Sequence, residues 1–205
     1  MMYHGALITS LEVRQDEDGS RSVVGRFPYN KTAVLSDGGR KGRPRKEKFA
    51  PHAFQYRVGD PEAEIHFLVG HDFGKPLASK LSDTLKLEDT EEALSFEARI
   101  TPEVAATQHA KDALALIGAG LAVGLSPGFR LPPERAVENA EEIEREPDNP
   151  DQGQNGAIIR TVKAALLFEL SVVTKPAFEE SQVEARRWSP CVAVPRKRPA
   201  VWRWR

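Results

Sequence analysis

The sequence predicts an α+β protein, mainly antiparallel β, with one substantial helix and a few short ones. Three observations lead there. Two pairs of short apolar runs are each joined by a polar turn, the pattern of a β-hairpin. Further runs rich in Leu, Ile, Val and Ala occupy residues 63–69, 120–125, 157–163 and 166–174. Only residues 101–117 carry a capped helical pattern of any length. With 205 residues, one core is comfortably buried.

In chain order, residues 5–13 and 22–27 flank the polar Gln15-Asp-Glu-Asp-Gly-Ser20 and read as the first hairpin, which Pro28-Tyr-Asn closes. Residues 36–46 are a Gly- and charge-rich loop. Phe49-Ala-Pro-His-Ala-Phe54 reads as a short helical turn pinned by aromatic residues. Residues 63–69 form a buried strand ending at Gly70-His71. A second hairpin joins 84–88 to 94–100, where Leu94, Phe96, Ala98 and Ile100 alternate with polar residues and mark one buried face. Thr101-Pro102-Glu103 opens the helix with a capping hydroxyl, a first-turn proline and an early acid. Val104, Ala106, Ala110, Ala113, Leu114 and Ile117 give it an apolar face, and Gly118-Ala-Gly120 ends it. The Ser126 strand follows, then a flexible acidic loop over 131–155, then two closing strands and a final helix over 178–187.

The net charge of -1 hides strong local asymmetry. Residues 40–46 and 186–205 are basic, whereas 134–151 is acidic through Glu138, Glu141, Glu142, Glu144, Glu146 and Asp148. Such blocks are commonly solvated segments. The domain assignment is therefore a folded unit over 1–187 and a basic, Pro- and Trp-rich tail over 188–205. A single cysteine, Cys191, excludes an intrachain disulfide and suits a reducing compartment. The five histidines lack zinc-ligand spacing, so no metal is expected. No apolar run approaches the roughly 20 residues of a membrane span, and no signal peptide is readable at the start.

Three segments carry chemistry. Gly120-Leu-Ala-Val-Gly-Leu-Ser-Pro-Gly-Phe129 places Ser126 at the end of an apolar run. Ile65-His-Phe-Leu-Val-Gly-His71-Asp72 ends another on an imidazole, and Leu166-Leu-Phe-Glu169-Leu-Ser-Val-Val173 buries a carboxylate. A serine hydroxyl is a weak nucleophile near neutral pH and needs a base, which in turn needs an orienting group. Each part also has a plain structural reading. Ser126-Pro-Gly suits a strand-to-turn junction, and His71 suits a surface turn. Glu169 is least at ease as mere structure, because an unpaired buried carboxylate is costly. Its partner is either a protonated histidine or a structural arginine such as Arg160. His66, at an odd offset from His71, is expected on the opposite face of a regular strand.

Six segments, in order, resemble the prohead (capsid maturation) proteases of tailed bacteriophages, whose fold is shared with the herpesvirus assemblin proteases. They are Gly25-Arg-Phe-Pro-Tyr-Asn30, Glu47-Lys-Phe-Ala-Pro-His-Ala-Phe54, Gly70-His-Asp-Phe-Gly-Lys-Pro-Leu77, Leu94-Ser-Phe-Glu-Ala98, Gly124-Leu-Ser-Pro-Gly-Phe129 and Glu169-Leu-Ser-Val-Val-Thr-Lys-Pro-Ala177. The resemblance spans roughly residues 5–185. It implies a herpesvirus-protease-like β-barrel and a serine endopeptidase with Ser126 as nucleophile and His71 as base. Glu169 stands at the strand of the third member, where related proteases use a histidine. One departure is Pro127, where the family has a small aliphatic residue. Proline has no backbone N–H to offer an oxyanion, so Gly128, Arg130 or Arg160 is expected to serve.

By the same resemblance the substrate is capsid protein or scaffold segments inside an immature shell in the host cytoplasm, with self-cleavage at the 131–155 loop or the tail. No cofactor is expected. A homodimer is implied only by analogy with assemblins, and nucleic acid contact only through the tail's arginines and tryptophans. Two other readings stand beside it. One is a catalytically silent assembly scaffold of the same fold, and the other is a host hydrolase of small esters.

Overall fold

In a computed structural model of the chain, the described residues are 3–4, 7–8, 11–16, 18–38, 42–122, 124–149 and 154–174. The strands run β1 (Tyr3–His4), β2 (Leu7–Ile8), β3 (Glu12–Gln15), β4 (Arg21–Pro28), β5 (Ala33–Ser36) and β6 (Arg45–Phe49). After helix α1 (Gln55–Gly59) come β7 (His66–Val69), β8 (Asp72–Ser79), β9 (Leu85–Asp89) and β10 (Ala93–Ile100). Helices α2 (Pro102–Ala105) and α3 (Gln108–Gly118) precede β11 (Gly124–Arg130), β12 (Glu141–Arg145), β13 (Asp148–Asn149), β14 (Gln154–Asn155), β15 (Ile158–Val162) and β16 (Leu166–Val173).

Both expected hairpins form, β3–β4 and β9–β10, and they share one sheet in the order β3-β4-β10-β9. Gly25 faces Phe96 across that sheet, and a Cβ there would lie 2.6 Å from the phenyl ring. The glycine of the Gly25-Arg-Phe motif is thus a packing requirement. Phe96 in turn stacks on Phe67 at 5.1 Å, tying this sheet to β7. Phe27, Phe49, Phe54 and Phe129 continue the core, packed edge-to-face except for the tilted Phe49–Phe54 pair.

The site-bearing sheet has the order β1-β11-β16-β7-β8, with β2 also on β11. Its pairing is antiparallel except between β16 and β7, which run parallel. A third sheet, β12-β15-β6-β5, flanks it. The α+β class therefore holds, but the barrel does not appear: among the described residues the sheets are open. The pairing of β8 with β7 is bulged twice.

Three local expectations change. The first expected strand is divided: β2 pairs with β11, while β3 pairs with β4. The expected helix over 101–117 is two helices, because Thr107 takes an extended backbone and its hydroxyl donates to Val104 O at 2.6 Å. The acidic segment is not a uniform loop. Glu141–Arg145 pairs with β15, and its carboxylates meet cations of the neighbouring strands, Glu144 with Lys48 and Glu141 with Arg160. The expected helix over 178–187 and the tail lie outside the described residues.

Candidate active site

Strand β11 places Ser126 by alternation. Leu125 and Phe129 belong to the hydrophobic core, so Ser126 and Gly128 occupy the opposite face. Across the antiparallel ladder, Ser126 stands opposite Ser171 and Gly128 opposite Glu169. Leu170 and Val172, the alternate residues of β16, are in the core. In an unbroken strand Leu167 would share the face of Glu169 and Ser171. It is instead in the core, because the register shifts between Gly128 and Phe129, so that Glu169 and Leu167 face consecutive residues of β11. That bulge at Phe168 re-aims the carboxylate out of the core.

The imidazole of His71 arrives from the next strand. β7 runs parallel to β16, and Gly70 N–H donates to Val172 O at 3.0 Å. Gly70 and His71 both then take positive φ, 60° and 64°. This conformation is sparsely populated for histidine, and such positions concentrate at functional sites. It turns the chain sharply and sends the imidazole back along the sheet, where His71 Nδ1 lies 2.8 Å from Glu169 Oε1. Because an ionised carboxylate only accepts, Nδ1 carries the proton and Nε2 is left as the basic nitrogen.

Glu169 is fully buried, yet its charge is compensated. The Ser171 hydroxyl donates to Oε2 at 2.7 Å while His71 holds Oε1. Ser171 also accepts from the His71 backbone N–H at 2.9 Å. Gly128 makes room for this arrangement. A Cβ there would lie 1.9 Å from Glu169 Oε1, so only glycine is compatible with the carboxylate as it stands. Asp72, beside the base, is turned away by Gly74 N–H at 2.8 Å and by Lys75 at 3.1 Å. The same two contacts hold its carboxyl below the usual range.

Of the expected site residues, the fold brings Ser126, His71 and Glu169 to one end of one sheet, on adjacent strands. His71 is a quarter exposed (26%), whereas Ser126 is 1% exposed. The expected oxyanion donors are placed differently. Arg160 is in the third sheet, bound to Glu47 at 3.0 Å and Glu141 at 2.5 Å. The partner of Glu169 is accordingly the histidine rather than that arginine. The Arg130 guanidinium stacks over Phe168 at 5.1 Å, four residues and about 13 Å along the strand from Ser126. Gly128 is flanked on both sides, by His4 on β1 and Glu169 on β16, so its amide lies within a sheet rather than in an open loop. His66 falls opposite Glu169 in register and packs edge-on against Phe73 at 5.7 Å. Strand alternation does not carry from it to His71, because the turn intervenes.

Ser171 is the member of this hydrogen-bonded group that reasoning from the sequence passed over. Its signal was present: it is two residues from Glu169, hence on the same face of the same strand.

No curated protein and no solved structure matches the chain. The family model for the caudovirus prohead serine protease matches residues 9–191, nearly the whole sequence and every residue of the constellation above. The chain therefore belongs to the caudovirus prohead serine protease family.

Proposed function

We propose that this chain is a serine endopeptidase that cleaves capsid protein or scaffold segments within the immature phage shell, by way of an acyl-enzyme on Ser126. The observation that carries the proposal is the pairing of His71 with the buried Glu169, set one strand from a serine on the same sheet face. Ser126 Oγ attacks the peptide carbonyl while His71 Nε2 takes its proton. Glu169 keeps the imidazole in the required tautomer and stabilises the imidazolium. His71 then protonates the leaving amine, and water, activated by the same nitrogen, releases the acyl group.

Pro127 offers no N–H, and the two arginines are held elsewhere, so oxyanion stabilisation falls to a backbone amide. Removing one such donor typically slows kcat about 10²- to 10³-fold, so a modest turnover is expected. Self-cleavage in the acidic segment and action inside the shell in the host cytoplasm follow from the same reading. Among the described residues no helix is long and apolar enough to cross a membrane.

The test is co-expression of the chain, as wild type and as Ser126→Ala, with the major capsid protein of the same phage, followed by intact mass measurement. Truncation with wild type only is expected. Cleavage by both would remove Ser126 from the mechanism, and cleavage by neither, with shells still assembling, would favour the scaffold reading.

A further inference from the structure

We infer that Ser171 is a positioning residue of this site, a clamp that locks the His71–Glu169 pair from both ends; the inference rests on the protease reading above. Three observations converge on its hydroxyl. It donates to Glu169 Oε2 at 2.7 Å, which leaves the other oxygen, Oε1, facing His71 Nδ1. It accepts from the His71 backbone N–H at 2.9 Å, at a residue held in left-handed conformation with φ of 64°. It also stands directly across the ladder from Ser126 and is fully buried.

A hydroxyl has one proton and two lone pairs, and here the proton and one lone pair are assigned. The proton is committed to the carboxylate. One lone pair receives the backbone N–H of the base. Rotation of the carboxylate about its terminal bond would break the bond to Oε2, and relaxation of His71 to an ordinary φ would break the bond to its N–H. A single buried atom therefore couples the orientation of the acid to the backbone strain of the base. Left-handed conformations of non-glycine residues persist only where the surroundings over-determine them. Hydrogen bonds to charged groups are also the strong class.

The mechanism itself does not require this residue. A carboxylate and an imidazole suffice for the proton transfers, and Ser171 touches neither substrate nor the transferred proton. Its contribution is to keep the pair assembled before substrate arrives, which electrostatic preorganisation requires.

The test uses the full chain as wild type, Ser171→Ala and Ser171→Thr, each also in a Glu169→Ala background. The first readout is the rate at which a fluorophosphonate labels Ser126. The second is the pair of His71 imidazole ¹⁵N shifts, assigned by comparison with His71→Gln, which report the tautomer without any catalytic event. Ser171→Ala is expected to slow labelling about 10- to 100-fold, as loss of a hydrogen bond to a charged group implies. It should slow it less than threefold once Glu169 is absent, because the two act as a unit. The His71 shifts should move from the Nδ1–H tautomer towards a mixture, and threonine should restore them. Thermal melts confirm that each variant is folded. Unchanged shifts and labelling in Ser171→Ala would overturn the inference. So would equal slowing with and without Glu169, which marks a general packing role. A wild type that never labels, with shifts that respond to Ser171→Ala, would sink the protease reading and leave the clamp standing.

Discussion

Glycine at position 128 is the most exacting requirement of the site, and Gly128→Ala tests the whole geometry with one methyl group. The new Cβ would sit 1.9 Å from Glu169 Oε1, 2.6 Å from its Cδ and 2.9 Å from its Cγ. Relief requires a retreat of about 1 Å or more, since carbon contacts are favourable only near 3.5–4.0 Å. β11 has neighbouring strands on both sides, so the softer element is the Glu169 side chain. A displacement of that size takes Oε1 out of the position from which it meets His71 Nδ1 at 2.8 Å. Overpacking of this kind destabilises by about 1–3 kcal/mol, which a thermal melt should register as a lowered Tm in a protein that still folds. The loss in rate should be far larger. Removing the orienting carboxylate from a serine–histidine pair lowers kcat about 10⁴-fold in a comparable enzyme. Capsid cleavage followed by intact mass, with fluorophosphonate labelling of Ser126 as a substrate-free check, measures it. Adding Glu169→Gln to Gly128→Ala should slow the enzyme little further. A Gly128→Ala protein that cleaves within threefold of wild type would refute the geometry.

Other outcomes follow from the surrounding structure. Arg160→Ala strands the buried Glu47 carboxylate, whose Oε1 already lacks a partner, and should destabilise the fold by about 3–5 kcal/mol. Ser126 in the protein that remains folded should still label at the wild-type rate, whereas a rate loss of a hundredfold would restore Arg160 as an oxyanion donor. Burial is the main cause that pushes the Glu47 carboxyl above its usual range, with Arg160 opposing it. A group whose folded pKa is raised binds its proton more tightly when folded, so its contribution is greatest below the ordinary carboxylate range and is lost as pH rises through the raised value. Glu47→Gln should therefore gain in Tm relative to wild type as pH rises above the ordinary carboxylate range, and parallel pH profiles would contradict this. Gly25→Ala drives a methyl group to within 2.6 Å of the Phe96 ring and should lower stability by about 1–3 kcal/mol, read by denaturant midpoint, without changing the labelling rate of the folded protein.

Much of this molecule was legible before folding. Alternation over 94–100 and the polar turns before it specify hairpins, since a period of two has one burial solution. Glu169 was identifiable because it interrupts an apolar run with a carboxylate that is costly to bury unpaired. Ser126 and His71, at the ends of such runs, stood out only beside it and through the resemblance of their segments. Local pattern was silent on four things. It did not reveal the bulge at Phe168, because a register shift belongs to two strands at once and has no one-dimensional signature. It placed His66 by an alternation that the left-handed turn at Gly70-His71 cancels. It described the acidic segment by charge alone, while Glu141 found Arg160 on the adjacent strand and Glu144 found Lys48, 96 residues away in sequence. It left Arg160 and His71 as equal partners for Glu169.

Composition and periodicity by themselves determined the α+β class, the two hairpins and the residue types of a serine site, because these depend on neighbours within a few positions along the chain. The tertiary structure alone decided that the sheets stay open among the described residues, that Glu169 pairs with His71, and that Ser171 and Gly128 shape the carboxylate's seat. These outcomes depend on which strands lie side by side and in what register. That is settled by the packing of an entire core, to which no short segment of sequence has access.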